Sequence, residues 1–100
     1  MLPEAVARIE PWQIDNVCEY LSLSFVGVRI DHYERGNHAT HLFIVTGSGG
    51  PGGRPIRYYL LVTRGFFERF TDRGSLRQAL ISTHVAKQLA RSGGRTVTLY

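Results

Sequence analysis

The sequence predicts an α+β domain: an antiparallel sheet of three to four strands with helices packed mainly on one face, in the order α-β-β-β-α-α-β. Three stretches carry this prediction. Val26–Thr46 alternates apolar and polar residues on either side of a Gly-Asn turn, the pattern of a hairpin. Ile56–Thr63 alternates in the same way. Ser75–Ser92 repeats its apolar residues at helical spacing and ends at Gly93-Gly94, a natural helix stop.

At 100 residues the chain makes one domain with a modest core, and its 43% hydrophobic content argues against wholesale disorder. The division expected is a short N-terminal segment, 1–10, that frays, followed by a single domain over 11–100. One cysteine, Cys18, rules out an intrachain disulfide and suits a reducing compartment. Met1-Leu2-Pro3-Glu4 has no basic stretch leading into an apolar run. The longest apolar run, Tyr58–Val62, is far too short to cross a bilayer. A cytoplasmic protein without membrane contact is the expectation.

Taken in order, Pro11 suits the first position of a helix whose stripe is Ile14, Val17, Cys18 and Leu21. Trp12 would tack that helix to the body, and Cys18 would serve as a small buried hydrophobe. In the hairpin, Gly36-Asn37 read as a two-residue turn sets His32 opposite His41 and Ile30 opposite Phe43. Val28, Ile30, Phe43, Val45, His32 and His41 then share one face. Arg29, Asp31, Tyr33, Thr40, Leu42 and Ile44 share the other, which is mixed. A loop one residue longer would separate the two histidines. Gly47–Gly53 reads as a flexible connection. It is not a phosphate cradle, because a strand rather than a helix follows it. Ile56, Tyr58, Leu60 and Val62 face one way on the third strand, with Arg57, Tyr59 and Leu61 opposite. Phe66, Phe67 and Phe70 cluster at one helical turn as core or as a lid over a sheet edge. Ser75 with Gln78 reads as a capping box. Leu76, Ala79, Ile81, Val85, Ala86, Leu89 and Ala90 line the inner side of a single helix over 75–92. Val97 and Leu99 point inward on a closing strand.

Charge is unevenly spread. Residues 1–34 hold six acids and two arginines, whereas residues 35–100 hold two acids and ten bases, eleven of the chain's twelve bases being arginine. Arginine makes forked contacts to phosphate and carboxylate. On the predicted helix 75–92, Arg77, His84 and Arg91 are spaced by seven and share the outer side with Lys87, near Arg54, Arg57 and Arg95. This is either a solvated surface or a nucleic-acid-binding one. The second candidate is His32 with His41 across the strands and Glu34 diagonal to His41, three ligand types that zinc accepts. The same pair would make the hairpin tip pH-sensitive if both rings charge. His38 and His41, three apart on a strand, point to opposite faces and cannot share an ion.

No nucleophile–base arrangement and no paired carboxylates stand out; Asp31 and Glu34 fall on opposite faces of one strand. A non-catalytic binding or interaction module with an unknown protein partner is therefore the leading expectation. An open sheet edge, including the terminal strand Thr96–Tyr100, offers a route to dimerisation.

The element order is also similar to that of the double-stranded RNA-binding domain. Gly36-Asn37-His38 followed by Phe43-Ile44-Val45 resembles that family's first strand-connecting loop and second strand. Ser75-Leu76-Arg77-Gln78-Ala79 resembles the basic motif of its second helix. The resemblance covers roughly two-thirds of the chain and implies shape-selective binding of A-form duplexes through His38, Arg77 and Lys87. From Trp12-Gln13-Ile14-Asp15 to Phe66-Phe67-Glu68-Arg69-Phe70, the chain also resembles a family of small proteins of unknown function from Burkholderia-type bacteria, which implies no activity.

Overall fold

The protein is described by a computed structural model covering residues 9–36 and 39–100. Helix α1 (Pro11–Ser24) leads into strands β1 (Arg29–Arg35), β2 (Thr40–Gly47) and β3 (Ile56–Thr63), with a 3-10 turn at Pro51–Gly53 before β3. Three helices follow, α2 (Arg64–Glu68), α3 (Arg73–Ser82) and α4 (Val85–Arg91), and β4 (Thr96–Leu99) ends the order. The four strands form one sheet in the order β1-β2-β3-β4. The α+β class and its element order are those predicted from sequence. The expected frayed segment lies, apart from Ile9 and Glu10, outside the described residues.

The sheet is mixed rather than antiparallel, because β4 runs parallel to β3. The cause is the connection. From Thr63 the chain returns across the sheet through three helices and re-enters at the end where β3 began, as a crossover must. Thr63 makes the reversal sharp: it closes β3 and accepts a hydrogen bond from the Phe66 amide at 3.2 Å, capping α2.

All helices cover the same face. Phe43, Val45, Leu60 and Val62 project from β2 and β3 into a fully buried cluster with Val17, Leu21, Leu76, Leu80, Val85 and Leu89. Phe66 and Phe67 join it and belong to the core, with Phe70 packed against them.

The predicted helix 75–92 is two helices. Leu80 and Val85 are both fully buried but five residues apart, which on one continuous helix would set them about 140° apart. Breaking the helix lets Leu76/Leu80 and Val85/Leu89 each present an i,i+4 pair to the core. The break is built locally. Thr83 Oγ1 donates to the Ala79 carbonyl at 2.7 Å, and His84 takes a left-handed backbone (φ 55°). As a result Ile81 and Ala90, predicted inward, are exposed. The start also moves: Asp72, not Ser75, caps α3, accepting from the Ser75 amide and hydroxyl at 2.8 Å each. These bonds hold its carboxyl below the usual range.

The buried stripe of α1 is Gln13, Asn16, Val17, Tyr20 and Leu21, one residue out of phase with the predicted one, and Ile14 and Cys18 flank it half-buried. Its polar members are joints. Gln13 Nε2 donates to the Phe67 carbonyl at 3.0 Å and the Phe70 carbonyl at 3.4 Å, while its Oε1 accepts from the Glu10 amide at 2.9 Å. Asn16 Nδ2 donates to the Arg73 carbonyl at 2.9 Å. Tyr20 Oη accepts from the Ala86 amide at 3.0 Å, satisfying one of the free N–H groups at the start of α4.

Candidate functional site

The hairpin pairs Arg35 with Thr40, Glu34 with His41 and His32 with Phe43. The ladder therefore ends at Arg35–Thr40, not at the Arg35–His38 pair that a two-residue Gly36-Asn37 turn requires. The turn at Gly36 (φ 60°) is closed by the Ala39 amide donating to the Gly36 carbonyl at 2.9 Å. The tip is tied to the next layer by the Arg64 amide, which donates to the Ala39 carbonyl at 2.8 Å. Relative to the predicted register the pairing shifts by two residues. An even shift preserves the face of every side chain, so His32 and His41 remain together, now diagonal rather than opposite. Glu34, expected to lie diagonal to His41, is instead its direct partner.

The two rings meet. His32 Nδ1 and His41 Nε2 lie 2.9 Å apart in a hydrogen bond, with ring centroids 5.0 Å apart and the Phe43 ring 5.1 Å from His41. His41 is 5% exposed, and its buried Nδ1 has no hydrogen-bond partner among the described residues. Burial, and then the neighbouring His32, lower its pKa; Glu34 opposes them. One proton lies between the rings, so charging both breaks the contact. The geometry does not fit zinc. Two nitrogens on a tetrahedral zinc stand about 3.4 Å apart, wider than this hydrogen-bonded pair. Among the described residues no group of three His, Cys, Asp or Glu side chains is arranged to hold a metal ion. The predicted set His32, His41 and Glu34 is thus a polar end to the core face. His38 lies outside the described residues.

The predicted basic stripe is dispersed. Arg77, on α3, is half-buried and paired with Glu19 of α1 at 3.5 Å. His84 sits in the left-handed break between helices, not on a helix face. Lys87 and Arg91 are exposed on α4, one turn apart. Seven-residue spacing aligns side chains only on an unbroken helix, and the break at Thr83–His84 removes that premise.

One surface feature escaped the sequence reading. With every helix of the described residues on one side, the opposite face of the sheet is left uncovered by the described residues. The ladders set Asp31, Ile44, Tyr59 and Thr96 in one row across it, and Tyr33, Leu42, Leu61 and Thr98 in the next. Ile44, Leu42, Tyr59 and Leu61 are half-buried and lie outside the core cluster; Tyr33 is 54% exposed. Arg29 and Arg57 stand in the row at one end of this floor, and Arg35 at the other. Arg35 and Arg95 line a shallow groove with Leu42, Tyr59, Leu61 and Thr98. Arg29 is bridged to Asp31 at 3.1 Å, whereas Arg35, Arg57 and Arg95 have no carboxylate partner among the described residues. The available signal was the count of helix stripes. Each helix carries one apolar face, enough to cover one side of the sheet, while Leu42, Ile44 and Leu61 load the second.

The Gly-rich connection 47–53 folds back on itself. The Gly50 amide donates to the Arg54 carbonyl at 2.9 Å, and a Cβ at Gly50 would lie 2.5 Å from that oxygen, so no other residue fits. No helix of the described residues is long and apolar enough to cross a membrane. No family model, curated protein or solved structure matches the chain.

Proposed function

We propose that the protein is a small non-catalytic binding module of the cytoplasm whose working surface is the uncovered face of its sheet. The observation that carries this reading is the floor of Leu42, Ile44, Tyr59 and Leu61, left outside the core by helices that all pack on the other side. A contiguous apolar patch rimmed by charge is the surface character of an interaction site. Cys18 is a free thiol whose pKa is raised by burial and then by Asp15, which suits a packing role in a reducing compartment. The exposed Lys87 and Arg91 on α4 are a smaller second surface for nucleic acid, reduced by the engagement of Arg77 with Glu19.

The test is affinity capture from native cell extract, scoring retained protein and nucleic acid for the wild type and for Leu61→Glu. The variant alters the floor but not the core, so its circular dichroism and melting should match the wild type. The reading expects at least one component held by the wild type and lost by Leu61→Glu. Identical retained sets from both proteins overturn it.

A further inference from the structure

We infer that the uncovered sheet face binds single-stranded RNA, with Tyr33 and Tyr59 stacking on unpaired bases and Arg35, Arg57 and Arg95 taking the phosphates. The inference rests on the binding-module reading and names its ligand.

Charge selects the occupant. Among the described residues the open face carries one acid, Asp31, already bridged to Arg29, while Arg35, Arg57 and Arg95 have no carboxylate partner. A second copy of the chain docked twofold through this face would set those same arginines against each other, so self-association is disfavoured. An anionic ligand neutralises them.

The floor between the arginines selects among anions. Tyr33 and Tyr59 stand on β1 and β3 in adjacent rows, about 12 Å apart from strand spacing and rise. Among the described residues neither ring is engaged with another aromatic ring. Half-exposed rings on a pleated floor, bracketed at both ends by cations, suit a ligand that alternates flat bases with phosphates. A duplex hides its base faces and would leave both tyrosines unused. The hydroxyls of Thr46, Thr96 and Thr98 share this face and can pair with a 2′-hydroxyl, which DNA lacks.

The experiment is fluorescence anisotropy of labelled 12-nucleotide probes: mixed-sequence single-stranded RNA, the DNA of the same sequence, and the RNA duplex. Single-stranded RNA should bind most tightly. Tyr33→Leu combined with Tyr59→Leu, which keeps the floor apolar and the fold intact by melting, should weaken it at least about tenfold. Arg35→Gln with Arg95→Gln should reduce the slope of log affinity against log salt by about 1.4. Arg73→Gln, at an exposed position on the helix side of the sheet, should change neither. The inference is overturned by no saturable binding at up to about 100 µM protein, by equal or tighter binding of DNA or duplex, or by tyrosine variants that bind as wild type. If RNA binding fails while Leu61→Glu still abolishes capture of a protein, the binding-module reading stands with a protein partner. If both fail, the open face is not a binding surface.

Discussion

The two faces of one sheet are built from the same strands and differ in nearly everything else. On β2, Phe43 and Val45 are fully buried, while Leu42 and Ile44, which alternate with them, stay half-exposed. On β3, Leu60 and Val62 are buried, whereas Tyr59 and Leu61 are not. Helices account for the difference, since α1 to α4 all pack on the Phe43 side. A strand with apolar residues on both sides usually sits in a sheet covered twice. Here the second apolar side is matched by no helix of the described residues and is rimmed by arginine. The covered face carries stability; the bare one is where we propose that binding occurs.

The contrast is sharpest in mutational cost. Phe43→Ala should lower unfolding free energy by about 3–5 kcal/mol, read from denaturant midpoints, because it opens a cavity in a closed core. Leu61→Ala, directly across the pleat from Leu60, should cost under about 1 kcal/mol. Comparable losses at the two positions would break the comparison.

The covered face is also held by polar joints, and these should be next in cost. Asn16→Leu keeps the branched outline of the side chain but adds bulk and strips the Arg73 carbonyl of its donor, and should cost about 1–3 kcal/mol by chemical denaturation. A neutral result would mean that α1 is held by apolar packing alone.

His41 ends the covered face and makes it sensitive to acid. Its folded pKa is lowered from the ordinary 6.5, so the unfolded chain binds the proton more readily. The stability it contributes is complete above 6.5 and is lost as pH falls from there toward the folded pKa. For one proton the slope is at most about 1.4 kcal/mol per pH unit. His41→Phe should flatten this limb in melts taken across that window, leaving a separate loss below 3.8 from Asp72, whose lowered pKa has the same sign. An unchanged acid limb would remove His41 as its source. Tyr20→Phe should have the smallest effect, about 1 kcal/mol, from the lost bond to the Ala86 amide, with no change at the open face.

Much of this architecture was legible locally. The alternation of β2 and β3, the start of α1 at Pro11, the stop at Gly93-Gly94 and the inward turn of Val97 and Leu99 all follow from side-chain period and backbone preference. The meeting of His32 and His41 was legible too, although for an incomplete reason. Their face was set by parity, which survived a register two residues from the one expected. The nature of the contact was not legible, because 2.9 Å between nitrogens is a tertiary distance.

What the sequence alone determined is therefore periodic: which strands exist, which residues share a face, and that the class is α+β. Properties that depend on what meets what were decided by tertiary structure. β4 became parallel because three helices had to return across the sheet before it paired. Helix 75–92 broke at Thr83–His84 because Leu80 and Val85, five apart, both had to enter one core. The stripe of α1 moved to Gln13, Asn16 and Tyr20 because carbonyls at Phe67, Phe70 and Arg73 and the Ala86 amide needed partners. The bare sheet face, where we place the function, exists because every helix chose the other side, a choice made by packing the whole chain at once.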